Sequence, residues 1–167
     1  MIRIERVHIK KFRGIIDLEL DLAGQNFAAC GPNGTGKSGI VDAIEFALTG
    51  NISRLSGQGT GELSVAKHAP HVDFRNKPQE ASVELHVSFP ALKGKKATIL
   101  RTVKGASSPI ITPPDSEIEA ALEAVSLHPE FVLSRRELIR YVISKPGDRA
   151  KEVQALLRLE DVEKARA

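Results

Sequence analysis

The sequence is short of thiols and aromatic rings: it has one cysteine, one tyrosine and no tryptophan in 167 residues. A lone thiol excludes an internal disulfide framework. Cys30 closes the apolar run Phe27-Ala28-Ala29-Cys30, where a buried thiol in a reducing compartment is expected. Aromatic residues are 4% of the chain, too few for a platform on which single-stranded bases stack. Long apolar runs are missing too. Nothing approaches the roughly 18 consecutive apolar residues of a membrane span, and the start, Met1-Ile2-Arg3-Ile4-Glu5-Arg6, lacks the apolar stretch of a secretory signal. A cytoplasmic chain with no membrane partner is therefore expected. Charge of one sign is also scarce, with 24 Lys and Arg against 21 Asp and Glu. A net +3 allows an anionic partner but is far from the dense basic stripe of a dedicated nucleic-acid binder, and with so few aromatic rings any contact with nucleic acid would rest on Lys and Arg against phosphate. What remains, 41% apolar and 27% charged, describes one globular domain with a real core.

What is present is strong patterning. Ile2, Ile4, Val7 and Ile9 interleave with charged residues, Gly14 marks a turn, and Ile16, Leu18, Leu20 and Leu22 alternate with Asp17, Glu19 and Asp21. These periods of two predict an antiparallel hairpin. Phe27 to Cys30 then reads as a strand buried on both faces, running into Gly31-Pro32-Asn33-Gly34-Thr35-Gly36-Lys37-Ser38. After the loop, Ile40, Ala43, Ile44, Ala47 and Leu48 fall on one helical face, and Thr49-Gly50 supplies a left-handed stop. Residues 50 to 80, rich in Gly, Ser, Pro, His and Asn, read as a mobile loop. Val83, Leu85 and Val87 predict a further strand, as do residues 97 to 103 after the turn Lys93-Gly94-Lys95-Lys96. Pro113 and Pro114 introduce a helix over Ile118, Ala121, Leu122 and Val125. Phe131-Val132-Leu133 reads as a short buried strand. Ser134 and Glu137 have capping-box spacing for the helix that follows, and a charged amphipathic helix begins near Pro146.

Strand, glycine-rich loop, helix is the order that phosphate binding requires. Glycines free the backbone to wrap an anion without a Cβ clash, so loop N–H groups and the helix N-terminus converge on negative charge. Lys37 is placed to bridge the terminal phosphates of a nucleoside triphosphate, most simply ATP. Ser38, one residue into the helix, has the hydroxyl to ligate Mg2+. Asn33, Gly34, Thr35, Gly36 and Gly39 complete the expected cradle.

Together, the segment from Ile2 to Gly14 with its Phe12-Arg13, the acidic-apolar strand after it, the phosphate loop and Val41-Asp42-Ala43-Ile44 resemble the N-terminus of SMC, RecF and RecN-type ATPases, which are ABC-type heads. The resemblance implies an α/β P-loop NTPase N-lobe with a flanking antiparallel sheet, incomplete without a C-terminal lobe. It spans residues 1–167, with about 146–167 leading toward a coiled coil. It also implies Arg13 as a phosphate contact, Lys37 as the catalytic lysine, ATP-driven pairing with a second head, and action on DNA in repair, recombination or defence. Where the family presents a magnesium-binding glutamine, this sequence has Arg135-Arg136, whose guanidinium groups are donors only. The Walker B strand ending in Asp-Glu is missing after the loop, so signature and Walker B are expected in a further lobe, and these residues alone should bind weakly and turn over negligibly.

Several other patterns remain. Leu55-Ser56-Gly57-Gln58-Gly59 has the letters of the ABC signature but neither its order nor a helix to open, and reads as an ordinary turn. His68, His71 and His86 lack a second paired-ligand element for a metal. The lysine turn at 93 to 96 is either a solvated hairpin tip or a DNA-backbone contact. No guanine-reading or acceptor-binding element of a small GTPase or kinase is present. A second functional reading stays open, in which ATP gates assembly and the chemistry belongs to a fused or partner nuclease.

Overall fold

The computed structural model describes residues 2–56 and 64–126, and Gly147. All of these but Gly147 fall in the unit Met1–Pro129. The expected strand at Phe131-Val132-Leu133, the helix after Ser134, Arg135 and the helix after Pro146 lie outside the described residues, as does the turn from Gly57.

Strands β1 (Arg3–Phe12) and β2 (Ile15–Asp21) form the expected hairpin, in a register that sets Val7 opposite Leu20 and Ile9 opposite Leu18. Strands β3 (Ser82–Phe89) and β4 (Lys95–Thr102) form a second. The two hairpins are one sheet: β1 pairs β3 antiparallel with Val7 opposite Leu85, giving the order β2-β1-β3-β4-β5. The edge strand β5 (Ile110–Thr112) is too short to show a period and was not foreseen. Alternation then sorts the sheet. Val7, Ile9, Val83, Leu85, Val87, Ala97 and Ile99 turn to the core. Charged residues occupy the other face, where Arg6 pairs Glu19 at 3.1 Å and His8 meets Asp17 at 2.9 Å.

Helix α1 (Lys37–Thr49) lies on the apolar face, burying Ala43, Phe46, Ala47 and Leu48. The ring of Phe46 sits 5.1 Å from that of Phe12, a tilted aromatic contact that fixes the helix to the end of β1. The expected stop is observed: Gly50 adopts φ 76° and donates its N–H to the Phe46 carbonyl. The C-terminal carbonyls of α1 also receive Arg101 of β4, whose Nε donates to Ala47 at 3.0 Å and Nη2 to Leu48 at 3.4 Å. This guanidinium is buried, and desolvation pulls its pKa down to about 10. A cation bonded to carbonyls at a helix C-terminus complements the helix dipole there.

Helix α4 (Ser116–Ser126) packs on α1 and buries Ile118 and Leu122. Its start is held by Asp115, whose Oδ1 accepts from the N–H of Glu117 at 2.9 Å. Lys95 of β4 reaches across to Asp115 at 2.6 Å and Glu117 at 2.7 Å. The Lys95 hydrogen bond is the main cause that lowers the Asp115 pKa, and the bond to Asp115 is the main cause that raises that of Lys95. The clamp's contribution is present above the ordinary carboxylate pKa and is lost as pH falls through the lowered value of Asp115. At the other end it is present below the ordinary lysine pKa and lost as pH rises through the raised value of Lys95. Urea denaturation of Asp115→Asn against wild type is therefore expected to show a stability difference that is constant across neutral pH and shrinks in acid. A difference that grows in acid would reject the clamp.

One expectation is corrected. Phe27 to Cys30 forms no strand and is exposed, Phe27 by 50%, and the Cys30 thiol is exposed rather than buried. Among the described residues none of the five strands pairs with this segment, whereas burial on both faces requires a strand on either side. The described residues between 50 and 80 include short turns of helix, among them α2 (Ser53–Ser56) and α3 (Val65–His68). Ile52, Leu55 and Ala69 are buried there. Isolated apolar residues anchor this excursion, too few to create a period. Its far end is stapled to β1: His71 donates its N–H to the Lys11 carbonyl at 2.7 Å, and Lys11 lies over the Phe74 ring at 4.3 Å.

Candidate phosphate-binding site

The loop 31–36 enters α1 through three glycines with positive φ, Gly31 at 148°, Gly34 at 86° and Gly36 at 86°. This is the backbone that only glycine adopts at little cost. Gly36 is the N-cap of α1. No side chain caps this end, and no acidic residue lies in its first turn. The leading N–H groups of α1 are thus open to an anion, with the helix dipole behind them. Gly39 is needed for a different reason: a Cβ there would stand 3.3 Å from the Ile15 side chain and 3.6 Å from that of Arg13. Packing on β2 sets where the loop sits.

Lys37 turns back on the loop, donating from Nζ to the Gly31 carbonyl at 2.7 Å and to the Pro32 carbonyl. Thr35 Oγ1 also donates to Pro32 at 2.9 Å. Asn33 and Gly34 are exposed at the tip, and Ser38 is exposed in the first turn. The ammonium of Lys37 bonds to carbonyls in the place where a phosphate would offer stronger, charged acceptors. Ser38 fits a magnesium ion that takes one protein oxygen and completes its shell from phosphates and water. Among the described residues no group of three or more His, Cys, Asp or Glu is arranged to hold a metal. His68 gives its carbonyl to Arg13, His71 pairs Asp73 at 3.6 Å, and His86 meets Glu84 at 2.9 Å.

Beside the loop lies a recess of about 340 Å³ that Gly36, Ser38 and Gly39 share with Arg13, Asp42 and Arg54. Arg13 stands at φ 54° in the β1–β2 turn, its N–H held by the Ala69 carbonyl at 2.6 Å. Its side chain runs beside Gly39, but its guanidinium goes to Asp42, Nε to Oδ2 at 3.0 Å, and to the His68 carbonyl at 3.1 Å. Arg54 of α2 donates to the other oxygen of Asp42 at 3.3 Å. The structure thus brings together the loop, Ser38, Gly39 and Arg13. It adds two residues that sequence reasoning missed. The sequence signal for Asp42 is an acidic residue one turn from Gly39 on an otherwise apolar helix face, which marks the residue but not its partners. Arg54 carries no pattern of its own.

The AAA domain family matches residues 6–166 of the chain. The chain is 46% identical over 48 residues to the chromosome partition protein Smc of Methanocaldococcus jannaschii. It is 31% identical over 78 residues to the human structural maintenance of chromosomes protein 1B, and 28% identical over 94 residues to a retron Ec83 probable ATPase of Escherichia coli. These stretches are 29%, 47% and 55% of this chain but only 4%, 6% and 17% of those proteins. Among solved structures, one concerned with ATP-driven dimerization and DNA-stimulated activation of SMC ATPases superposes with a TM-score of 0.63 at 18% identity, covering 92% of this chain and 99% of that one. The shared fold is the N-terminal part of an SMC-type head.

Proposed function

Because the chain belongs to the AAA domain family, matched over residues 6–166, we propose that it is the ATP-binding lobe of an SMC-like ATPase. The observation that carries this reading is the uncapped N-terminus of α1 behind three left-handed glycines, with Lys37 and Ser38 in its first turn. Such an end binds phosphate, and the lysine and hydroxyl select a triphosphate with its metal. The catalytic cycle would be hydrolysis, in which water attacks the γ-phosphorus in line and the bond to the bridging oxygen breaks. Within this chain Lys37 would neutralise charge building on the phosphoryl oxygens, Arg13 would supply a further cation, and Ser38 would hold Mg2+. The carboxylate that orients the water would come from a C-terminal lobe. ATP then drives pairing with a second head, and DNA is the macromolecule acted on. Support for these last steps is the relatives' names, chromosome partition and structural maintenance of chromosomes, and the ATP-driven dimerization of the superposed structure.

Calorimetric titration of the chain with ATP, with and without Mg2+, tests the reading. Wild type is expected to bind more tightly with the metal present. Ser38→Ala should lose that enhancement, about tenfold for one lost ligand and its oriented water, while keeping the metal-free affinity. Equal metal dependence in both proteins would remove Ser38 from the site.

A further inference from the structure

Among the described residues the recess beside the loop is lined by Arg13, Arg54 and Arg75 against the carboxylate of Asp42. Asp42 is a structural oddity. It sits on the core side of α1 with its side chain 1% exposed, where an isolated carboxylate would be costly to bury, and two arginines from distant segments converge on it. Each takes a different oxygen, Arg13 Nε on Oδ2 and Arg54 Nη1 on Oδ1. A guanidinium has five N–H donors in a rigid fork. In the hydrogen bonds formed among the described residues Arg13 uses two of them and Arg54 one. Both arginines stay partly open, 26% and 41% exposed, while the carboxylate between them is sealed.

We propose that Asp42 is a positioning residue, a buried carboxylate that orients Arg13 and Arg54 so that their remaining N–H edges face a phosphate oxygen of the nucleotide at Ser38. This rests on the phosphate reading of the loop and extends it to the far wall of the recess. Asp42 itself touches no ligand. Without it, two cations in one recess would repel each other and swing outward. With it, the pair is held and still carries a net positive charge toward an anion. Its anchor is α1, the same helix whose N-terminus would hold the phosphates, so the arginines and the cradle are fixed in one frame. Arg54 also brings α2 against that frame, and the His68 carbonyl bonded by Arg13 fixes the end of α3.

The test is a double-mutant cycle read by nucleotide affinity. Mg-ATP is titrated into the chain as wild type, Asp42→Asn, Arg13→Ala/Arg54→Ala, and the triple variant, with thermal melting of each without nucleotide. Asp42→Asn is expected to weaken binding about tenfold in the wild-type background and less than about twofold once both arginines are gone, because its effect travels through them. An equal loss in both backgrounds would make Asp42 merely structural. Should Asp42→Asn fail to fold, Arg13→Lys decides: one ammonium cannot grip Asp42 and present a second edge, so affinity falls by about fivefold or more when titrated well below the variant's own melting temperature. Wild-type affinity in Arg13→Lys overturns the proposal. Lys37→Ala separates the two claims. Binding that ignores Lys37 removes the phosphate reading and this proposal with it, whereas Lys37-dependent binding that ignores Asp42→Asn removes the proposal alone.

Discussion

Lys37→Ala is expected to weaken nucleotide binding about 100-fold, roughly 3 kcal/mol, the worth of charge-assisted hydrogen bonds to phosphate in a partly enclosed site. The effect should be specific to ligand. Among the described residues the hydrogen bonds of the Lys37 ammonium go to its own loop, to the carbonyls of Gly31 and Pro32 and the Thr35 hydroxyl at 3.5 Å. Melting without nucleotide should therefore change by little. The same contacts set a limit on the gain from binding, since each bond to a loop carbonyl must be given up before one to phosphate forms. The measurement is a titration of wild type and variant with a labelled ATP analogue, read against ADP and AMP. The loss should be largest for the triphosphate and smallest for the monophosphate, because a lysine placed to bridge terminal phosphates has least to offer a single one. A uniform loss across all three would mean that Lys37 shapes the loop instead of meeting the phosphates.

Gly50→Ala is expected to cost about 3 kcal/mol of folding stability, and to lower Tm by about 10 °C. Two terms add. An L-residue at φ 76° pays about 1 kcal/mol for the left-handed conformation. The new methyl would also collide with the Ala106 carbonyl oxygen and stand 2.9 Å from Arg101 Nη1. Neither neighbour is free to move. Arg101 is buried and bonded to the last carbonyls of α1, and it donates to Ala106 as well. Relief would require breaking a buried cation's hydrogen bonds, at a cost of about 1–3 kcal/mol. Gly94→Ala provides the control. Gly94 has φ 73° but nothing within 4 Å of its added Cβ, so only the conformational term applies. Calorimetric melting of both variants separates strain from collision, and equal losses would show that the collision relaxes.

The paired strands and the loop were legible because each is a local signal. A period of two over Leu18, Leu20 and their acidic neighbours specifies a face without knowing what covers it, and glycines at fixed intervals before a lysine specify a backbone. Phe27 to Cys30 was misread for the converse reason: burial on both faces depends on neighbours that composition does not contain. The joining of two hairpins into one sheet through β1 and β3 is a long-range pairing, Val7 with Leu85, that no local period encodes. The recess is the clearest case. Arg13, Asp42, Arg54 and the His68 carbonyl lie up to 55 positions apart, and only the turn after β1, with Arg13 in a left-handed conformation, brings them together. Arg13 was expected near the phosphates from resemblance alone. Its actual partner, a buried aspartate, could not be read from sequence order.

The exposed thiol of Cys30 has a practical consequence. It is the chain's single cysteine, and it immediately precedes Gly31, the first residue of the phosphate loop. A maleimide fluorophore would attach at one place without any prior removal of competing thiols. Coupled there, the dye would sit at the mouth of the loop, on an exposed segment outside the sheet, where its emission can follow nucleotide arrival in a stopped-flow trace.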